Sequence, residues 1–489
     1  MFCVQIVWRR LAVWLLRLRG AVAMVPEQLG NIVRRVPRWW AGRRGGARRV
    51  GALARTLEAN ENLSAQMLAR HQLNLVRNLL SVAEKKVPYW RTLFAANNFD
   101  ASRFRDLRDL VELPLLSKDA LRTNLSEMVS DDIDPLRAKW DATGGSTGEP
   151  TRFVRSSLTS SYTYANEQRV WRWYGVPQGA RQALVWGADR DLGISSWSSR
   201  LLGLRRLNAF AIDALNSGEF LQELEHFRPR IVYGYTSALT TIAKYMRDCR
   251  HRIASPPIAI RATAEALSEE DRFRIEEAFE APVYNFYGAR DFGPVAAELR
   301  PQDGLRVFSD LVYLEIIRPD GTLVGPDEVG EIVITKLHEF SMPLIRFKTG
   351  DRASWFGPPP DESSGLPRIS SPIGRCSDFV LTASGRKIHG EFFAHLFYEV
   401  DGVERFQILQ TDSSRILIRI QGSLDFNGSD FVQVLDAIAQ QFADPNLRIE
   451  TRRVAAISPE SSGKYKVVCR SDRVKGCPDE MGAASCEAE

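Results

Sequence analysis

The chain has 489 residues with a formal net charge of +5, 44% hydrophobic and 26% charged residues. That length exceeds one ordinary core, so at least two domains are expected, and the composition excludes disorder over most of the chain. The charge is unevenly placed: residues 1–60 hold twelve arginines against Glu27 and Glu58, which makes the amino-terminal arm strongly basic and the body net acidic. Such an arm is either a solvated leader or a segment drawn to anionic lipid or nucleic acid, while an acidic body and an arm without a recognition fold argue against a nucleic-acid function. In "LAVWLLRLRGAVAMVP" the apolar run is broken by Arg17 and Arg19. It stays well short of the ~20 residues of a membrane span. Together with Arg9 and Arg10 these charges also interrupt the apolar region of a signal peptide, and Met24 is a candidate alternative start. The six cysteines form no Cys-x-x-Cys pair, and His389 and His395 stand six apart. A reducing, cytoplasmic setting without a structural metal site is therefore expected, with the arm as the route to any peripheral membrane contact.

From residue 58 to 95 apolar residues recur at helical intervals, Leu73, Val76, Leu79 and Leu80 among them, which predicts one or two helices ending near Pro88. "KWDA" and "TRFVRS" read as strands on either side of "TGGSTGEP" (143–150), and "SLTSSYTYANEQRVWRWYG" as a helical pair. An alternating series follows. "ALVWGA", "RIVYGY", "IAIRATAEA" and "PVYNFYG" are strands, "SGEFLQELEHF" is a helix with Ser217 as cap, "SALTTIAKYMRD" a helix, and "SEEDRFRIEEAF" a helix capped by Ser268. Strands alternating with three-turn helices predict a largely parallel sheet covered on both faces. After residue 305, "LVYLEIIRPDGTLVGPDEVGEIVITKL" predicts an antiparallel hairpin and "GPPPDESSGLP" a surface loop. From Gly374 a compact α+β unit of about a hundred residues is expected, ending in a loose tail.

"TGGSTGEP" lacks the Gly-x-x-x-x-Gly-Lys spacing of a P-loop. Its glycines leave backbone amides open to a polyphosphate, and Ser146 and Thr147 add hydroxyl donors, so alone it is either a turn or a phosphate loop. "YNFYGARDFGP" ends a buried strand with Asn285, Tyr287, Gly288 and Asp291, where ligands of open parallel sheets bind. "PLIRFKTGDRASW" contributes Asp351, "GRCSDFVLTASGRKI" contributes Arg375, and "SPESSGKYKVV" contributes Lys464.

The set and its order over residues 65–470 resemble the adenylate-forming superfamily, in particular phenylacetate-CoA ligases and their relatives in capsule-polysaccharide gene clusters. "TGGSTGEP" is similar to the family's phosphate loop, "NFYGARD" to its Asn-x-Tyr-Gly-x-Thr-Glu segment, "KTGD" to Arg-Thr-Gly-Asp, Gly374-Arg375 to the hinge and "SGKYK" to the carboxy-terminal lysine loop. The resemblance implies an α/β fold: a large N-terminal adenylate-forming domain of mainly parallel sheets and helices (58–373), with a hairpin-containing subdomain. A basic arm (1–57) precedes it, and a small mobile α+β lid domain (374–470) and a tail (471–489) follow. It also implies that Thr143, Gly144, Gly145, Ser146, Thr147 and Gly148 wrap the ATP phosphates. Ala264, Glu265, Asn285, Tyr287 and Gly288 would line the adenine slot, Asp351 would hold the ribose hydroxyls, and Arg375 would sit near ribose and phosphate. Lys464, Thr147 and Asp291 are the implied catalytic residues, with Asp291 also the ligand of Mg²⁺. A carboxylate attacking the α-phosphorus of ATP builds charge on oxygens that already repel one another, so positioned cations and amides must supply the stabilisation. The chain departs from the pattern at Glu149 for Lys, Arg290 for Thr, Asp291 for Glu, and in a segment from Pro459 to Lys464 one residue shorter than in many relatives.

The expected activity is therefore activation of an organic carboxylic acid to an acyl adenylate, then transfer to a thiol, coenzyme A first among acceptors. One alternative is transfer to a hydroxyl, an amine or a carrier-protein thiol. Another is a non-catalytic membrane-surface adaptor that retains the fold. Trp186, Tyr233, Tyr235 and Phe286 are either a stacking surface for an aromatic or apolar acid or simply core aromatics, while Arg190 and Arg261 favour a polar or sugar-linked acid.

Overall fold

The computed structural model of the protein describes residues 46–142, 151–186, 203–209, 212, 217–265, 267–357, 365–372, 379–397, 400, 402–412, 414–422, 428–455, 457 and 467–470. It opens on three helices, α1 (Gly46–Asn60), α2 (Ala65–Lys86) and α3 (Pro88–Ala96). Ser64 caps α2 by accepting from the Met67 amide, and Leu68, Val76, Leu79, Leu80 and Ala83 bury one stripe of it. Pro88 both stops α2 and starts α3: Val87 before it is extended, with φ −120° and ψ 110°, and the proline takes the first helical position, where no N–H is needed. Leu57 of α1, within the basic arm by sequence, is buried against the core. A short helix α4 (Lys118–Thr123) leads to the antiparallel pair β1 (Trp140–Ala142) and β2 (Arg152–Val154). Strand, loop, strand is thus the arrangement around 143–150, although the loop itself lies outside the described residues. The next segment, expected as a helical pair, is one helix of 17 residues, α5 (Ser157–Trp173), capped by Ser156. Nothing within it breaks a helix, and the first glycine, Gly175 with φ 68°, comes just after its end.

The alternating region yields β3 (Gln182–Trp186), β4 (Leu204–Asn208), α6 (Ser217–Phe227), β5 (Ile231–Tyr235), α7 (Thr236–Asp248), β6 (Ala259–Thr263), α8 (Glu269–Phe279), β7 (Val283–Ala289), β8 (Gly293–Glu298) and β9 (Leu305–Val307). After them β10 (Val312–Ile317), β11 (Gly330–Lys336) and β12 (Phe347–Ala353) form an antiparallel three-stranded sheet, the first two being the hairpin expected around "PDGT", and β13 (Arg368–Ile369) follows. The main sheet has eight strands in the order β13-β9-β8-β7-β6-β5-β3-β4. The five from β7 to β4 run parallel, and β8, β9 and β13 extend the sheet antiparallel. Strand β4, with two arginines among its five residues, carries no alternation and was not anticipated. Ser217 is the first residue inside α6 rather than its cap. Ser268 does cap α8, accepting from the Asp271 amide at 3.0 Å while its hydroxyl donates to the Asp271 carboxylate at 2.8 Å. One face of the sheet packs on a core that includes Val170, Trp171 and Tyr174, and the other on α6, α7 and α8 through Leu224, Leu239, Ile242, Met246, Ile275 and Phe279.

Beyond residue 379 a separate core forms around β14 (Phe379–Leu381), β15 (Lys387–His389), α9 (Gly390–Phe397), β16 (Val403–Asp412), β17 (Arg415–Gly422), α10 (Ser429–Phe442), β18 (Arg448–Arg453) and β19 (Val468–Arg470). Its four-stranded sheet, ordered β18-β17-β16-β19, turns Ile416, Ile418 and Ile420 into that core, and Phe431, Val434 and Ile438 of α10 meet them there. The expected α+β unit is present. No described helix is long and apolar enough to cross a membrane.

A buried ion pair fastens the first helices to the sheet. Arg169 on α5 gives a two-pronged bond to Asp310, at 2.9 and 3.0 Å, with side chains 0% and 1% exposed. Asn60 of α1 also donates to Asp310, and Arg169 donates to the Leu57 carbonyl, so α1, α5 and the turn after β9 share one network. Removing one partner strands a buried charge. Arg169→Met is therefore expected to cost about 3–5 kcal/mol in urea unfolding, and the double change Arg169→Met with Asp310→Leu to recover much of it. His338 lies in the same region, its Nε2 at 2.7 Å from the Asp310 carbonyl and its ring stacked on Tyr162 at 3.7 Å. Burial pushes its pKa down, against the opposing pull of the Asp310 carbonyl. The folded state thus resists the proton that the unfolded state accepts, so stability falls as pH drops below about 6.5, the ordinary histidine value, by at most about 1.4 kcal/mol per pH unit. His338→Gln is expected to flatten that slope between pH 7.5 and 5.5 in paired urea titrations.

Candidate active site

The parallel strands deliver β6 and β7 side by side, with Ala262 opposite Asn285 and Thr263 opposite Phe286. Where β6 ends, Ala264 takes a left-handed φ of 69°, a conformation that costs a non-glycine residue roughly 1–2 kcal/mol. Glu265 follows and caps α7, its carboxylate accepting from the Ser237 amide at 2.7 Å and the Ser237 hydroxyl at 3.1 Å, where the helix dipole favours a negative charge. On β7 the buried Asn285 donates through Nδ2 to Ser371 at 3.1 Å. Its amide donates to Glu298, a buried carboxylate already held by Arg272. Burial pushes the Glu298 pKa up, against the pull of Arg272 and the Asn285 amide. Two positions along, the Tyr287 hydroxyl donates to Asp351 Oδ2 at 2.8 Å. Asp351 sits on β12 just past Gly350, whose φ of 84° turns the strand, and the Asp351 amide donates to the Thr349 hydroxyl. Positions 264–265 and 285–288 are thus carried by the neighbouring strands β6 and β7, and the Tyr287–Asp351 bond ties β7 to β12.

A bulge between Tyr287 and Gly288 starts the β7–β8 turn, which presents Asp291. Asp291 is buried; its Oδ1 accepts from the Phe292 amide at 3.1 Å, and its Oδ2 has no hydrogen-bond partner, the nearest cation being Lys118 Nζ at 4.0 Å. Lys336 donates to the Asp291 carbonyl at 3.3 Å and lies 3.9 Å from Glu339. Burial pulls the Lys336 pKa down, with Glu339 opposing most. No group of three or more His, Cys, Asp or Glu residues suited to a metal occurs among the described residues. A Mg²⁺ ion bound mainly through phosphates asks the protein for only one or two carboxylates and fills its remaining positions with water, and the Oδ2 of Asp291, which has no hydrogen-bond partner, fits that requirement.

Two further residues, Asp141 and Arg155, went unrecognised from sequence. Asp141, the residue before Ala142 at the mouth of 143–150, accepts from Arg155 at 2.8 Å and lies 3.4 Å from Arg290; Arg155 in turn donates to the Arg290 carbonyl. Burial pushes the Asp141 carboxyl up, but the Ala142 amide and the two guanidiniums outweigh it and hold the group below the usual carboxylate range. Arg290, which departs from the family pattern, is thereby tied to the stem of the glycine loop. Thr143 to Gly148, Arg190, Arg375 and Lys464 lie outside the described residues. The four aromatics separate: Trp186 stacks on Tyr235 at 4.6 Å against the helix α6–α8 core, whereas Tyr233 and Phe286 flank Arg261 on the opposite face.

The eight-stranded sheet carries polar side chains near the ends of its parallel strands, and a separate α+β core follows it in the chain. The fold is that of adenylate-forming ligases. The solved 2-hydroxyisobutyryl-CoA ligase in complex with 2-HIB-AMP and CoA aligns over 84% of this chain and 92% of its own with a TM-score of 0.56 at 20% identity. Residues 380–471 match the CapK C-terminal domain. The homologues are Protein CapK of Staphylococcus aureus, 24% identical over 72% of this chain and 78% of that protein, and phenylacetate-coenzyme A ligases, that of Pseudomonas putida being 27% identical over 66% of this chain and 74% of its own.

The Tyr287–Asp351 bond depends on the tight β7–β8 turn, which tolerates no side chain at Gly288: a Cβ there would stand 2.7 Å from the Gly293 carbonyl oxygen. Gly288→Ala is expected to destabilise the protein by about 1–3 kcal/mol, seen as a lowered urea midpoint at unchanged slope.

Proposed function

We propose that the protein activates an organic acid with ATP as an acyl adenylate and transfers the acyl group to coenzyme A. The observation that carries this reading is the placement of Glu265 after β6 and of Asn285 and Tyr287 on the neighbouring β7, with Tyr287 bonded to the Asp351 carboxylate of β12. A fixed carboxylate suits a pair of ribose hydroxyls, which bring two donors to it. The adenine lies in the slot formed by Ala264, Glu265, Asn285 and Gly288. The glycine loop from Thr143 to Gly148 takes the phosphates, with Ser146 and Thr147 as hydroxyl donors, and Arg375 and Lys464 approach ribose and α-phosphate from the small domain. Mg²⁺, held by Asp291, would supply charge neutralisation at the phosphates. The acid carboxylate attacks the α-phosphorus and pyrophosphate leaves; the thiol then attacks the acyl carbon and AMP leaves. Holding both reactants in one cleft removes much of the entropic cost of each encounter.

Domain roles follow the same reading: 58–373 binds ATP and acid, and 374–470 closes over them. A second acceptor class, a hydroxyl, an amine or a carrier-protein thiol, is supported by the match of residues 380–471 to the CapK C-terminal domain. The acceptor that releases AMP decides between them.

The test is ATP–pyrophosphate exchange over a panel of aromatic, fatty and sugar-linked acids. Lys464→Ala is expected to lower acid-dependent exchange by about a hundredfold or more. Asp351→Ala is expected to raise the KM for ATP by about tenfold to a hundredfold, the worth of a charge-assisted hydrogen bond. A protein that binds no ATP in calorimetry sinks the reading.

A further inference from the structure

Strand β6 places Arg261 level with Tyr233 of β5 and Tyr284 of β7, on the sheet face away from α6–α8. The guanidinium carbon lies 4.5 Å from the ring centres of Trp171 and Tyr233 and 4.6 Å from that of Phe286. Arg261 is only 8% exposed, and its Nε is sealed from solvent with no acceptor. No hydrogen bond and no ion pair satisfies the guanidinium among the described residues. Ring faces close to a guanidinium stabilise its charge, but its five N–H groups still call for hydrogen-bond acceptors, which aromatic rings do not replace.

Two adjacent donors share that condition. Trp171 Nε1 and the Tyr174 hydroxyl are both buried without a partner, and burial pushes the Tyr174 phenol up, so that it stays protonated and keeps its hydrogen to donate. Glu298, the carboxylate that acts on Tyr174, is committed to Arg272 and to the amides of Asn285 and Gln302. One cation and two neutral donors are thus collected in an aromatic enclosure that lacks an acceptor. Phe286, one wall of it, lies on β7 between Asn285 and Tyr287, so the enclosure and the proposed nucleotide slot share that strand.

We propose that the Arg261 enclosure is a specificity subsite for a second carboxylate, which makes the acid substrate a dicarboxylic acid: one carboxylate is adenylated while the other is held by Arg261, Trp171 and Tyr174 between aromatic walls. This rests on the adenylation reading above. The aromatic walls favour a flat or short spacer between the two carboxylates. The bound carboxylate takes no part in the chemistry and leaves with the product.

The test compares 4-carboxyphenylacetate with 4-methylphenylacetate, and adipate with hexanoate, by calorimetric binding and by pyrophosphate exchange. The wild type is expected to bind at least one dicarboxylate about tenfold or more tighter than its monoacid counterpart, and Arg261→Met to lose about tenfold to a hundredfold on that acid alone. Tyr174→Phe removes an unpartnered donor, so it is expected to keep or raise the melting temperature while weakening dicarboxylate binding several-fold; a structural role would leave binding unmoved. Equal preference in the wild type, an unchanged ratio in Arg261→Met, or displacement of the dicarboxylate by inorganic phosphate at equal concentration overturns the proposal. Should Arg261→Met fail to fold, Arg261→Lys and Tyr174→Phe decide on the same ratio. Arg261-dependent dicarboxylate binding without exchange leaves the subsite standing and removes adenylation. Exchange with monoacids only, at a ratio that Arg261 does not influence, keeps adenylation and removes the subsite.

Discussion

A cation taken out of water needs a carboxylate beside it, and this requirement organises the large domain. Arg169, Arg272, Arg261 and Arg346 are its buried arginines among the described residues. Arg169 is paired to Asp310, Arg272 to Glu298 and Arg346 to Glu315, each with both carboxylate oxygens engaged. Every pair joins elements distant in sequence, α5 to the turn after β9, α8 to β8, and the residue before β12 to β10. Such pairs contribute little net stability over apolar replacements, yet breaking one is costly. They act chiefly as fixed points of register. Glu298 shows how such a point reaches the site: the oxygen that pairs with Arg272 also accepts from the Asn285 amide, so the end of β7 is set by a buried charge.

Site placement follows from the topology. Parallel strands β5, β6 and β7 all point their carboxyl ends the same way, so Tyr235, Ala264, Glu265 and Tyr287 arrive together without any local sequence relation. The antiparallel return of β8 then carries the chain back from the site, and the tight Gly288 approach leaves the buried Asp291 at the turn. β12 belongs to a different sheet, and the Tyr287–Asp351 bond is the direct polar link between the two sheets at this point.

Much of this was legible in the sequence where the signal was local. Alternation gave β3, β5, β6 and β7, capping chemistry gave the start of α8, and "PDGT" gave the β10–β11 hairpin. Motif order pointed to Asn285, Tyr287 and Asp351. What escaped was either featureless or long-range. Strand β4 is an arginine-bearing segment whose pairing depends on β3, α5 was split although its residues hold no breaker, and Ser217 was given a capping role that its place inside α6 does not allow. The ties from Arg155 and Arg290 to Asp141, and from Lys118 to Asp291, span separations that no local pattern signals. The aromatic question also turned on long-range packing. Tyr233 and Tyr235 are two apart on one strand, yet they belong to different cores because the strand ends at Tyr235 and α7 begins.

Arg261 is the exception among the buried arginines. Folding alone gains nothing from a guanidinium in an aromatic enclosure without an acceptor: a leucine or methionine there would avoid the desolvation cost and fill similar volume. The three rings recover part of that cost through their faces, which makes the position tolerable without satisfying the in-plane donors. The same is true on a smaller scale of Tyr174, where phenylalanine would keep the stacking on Tyr284 at 3.9 Å and shed an unsatisfied hydroxyl. Three unsatisfied donors in one enclosure amount to a local sacrifice of stability of the kind that binding sites carry. A ligand that brings the missing acceptor is the one change that satisfies all three.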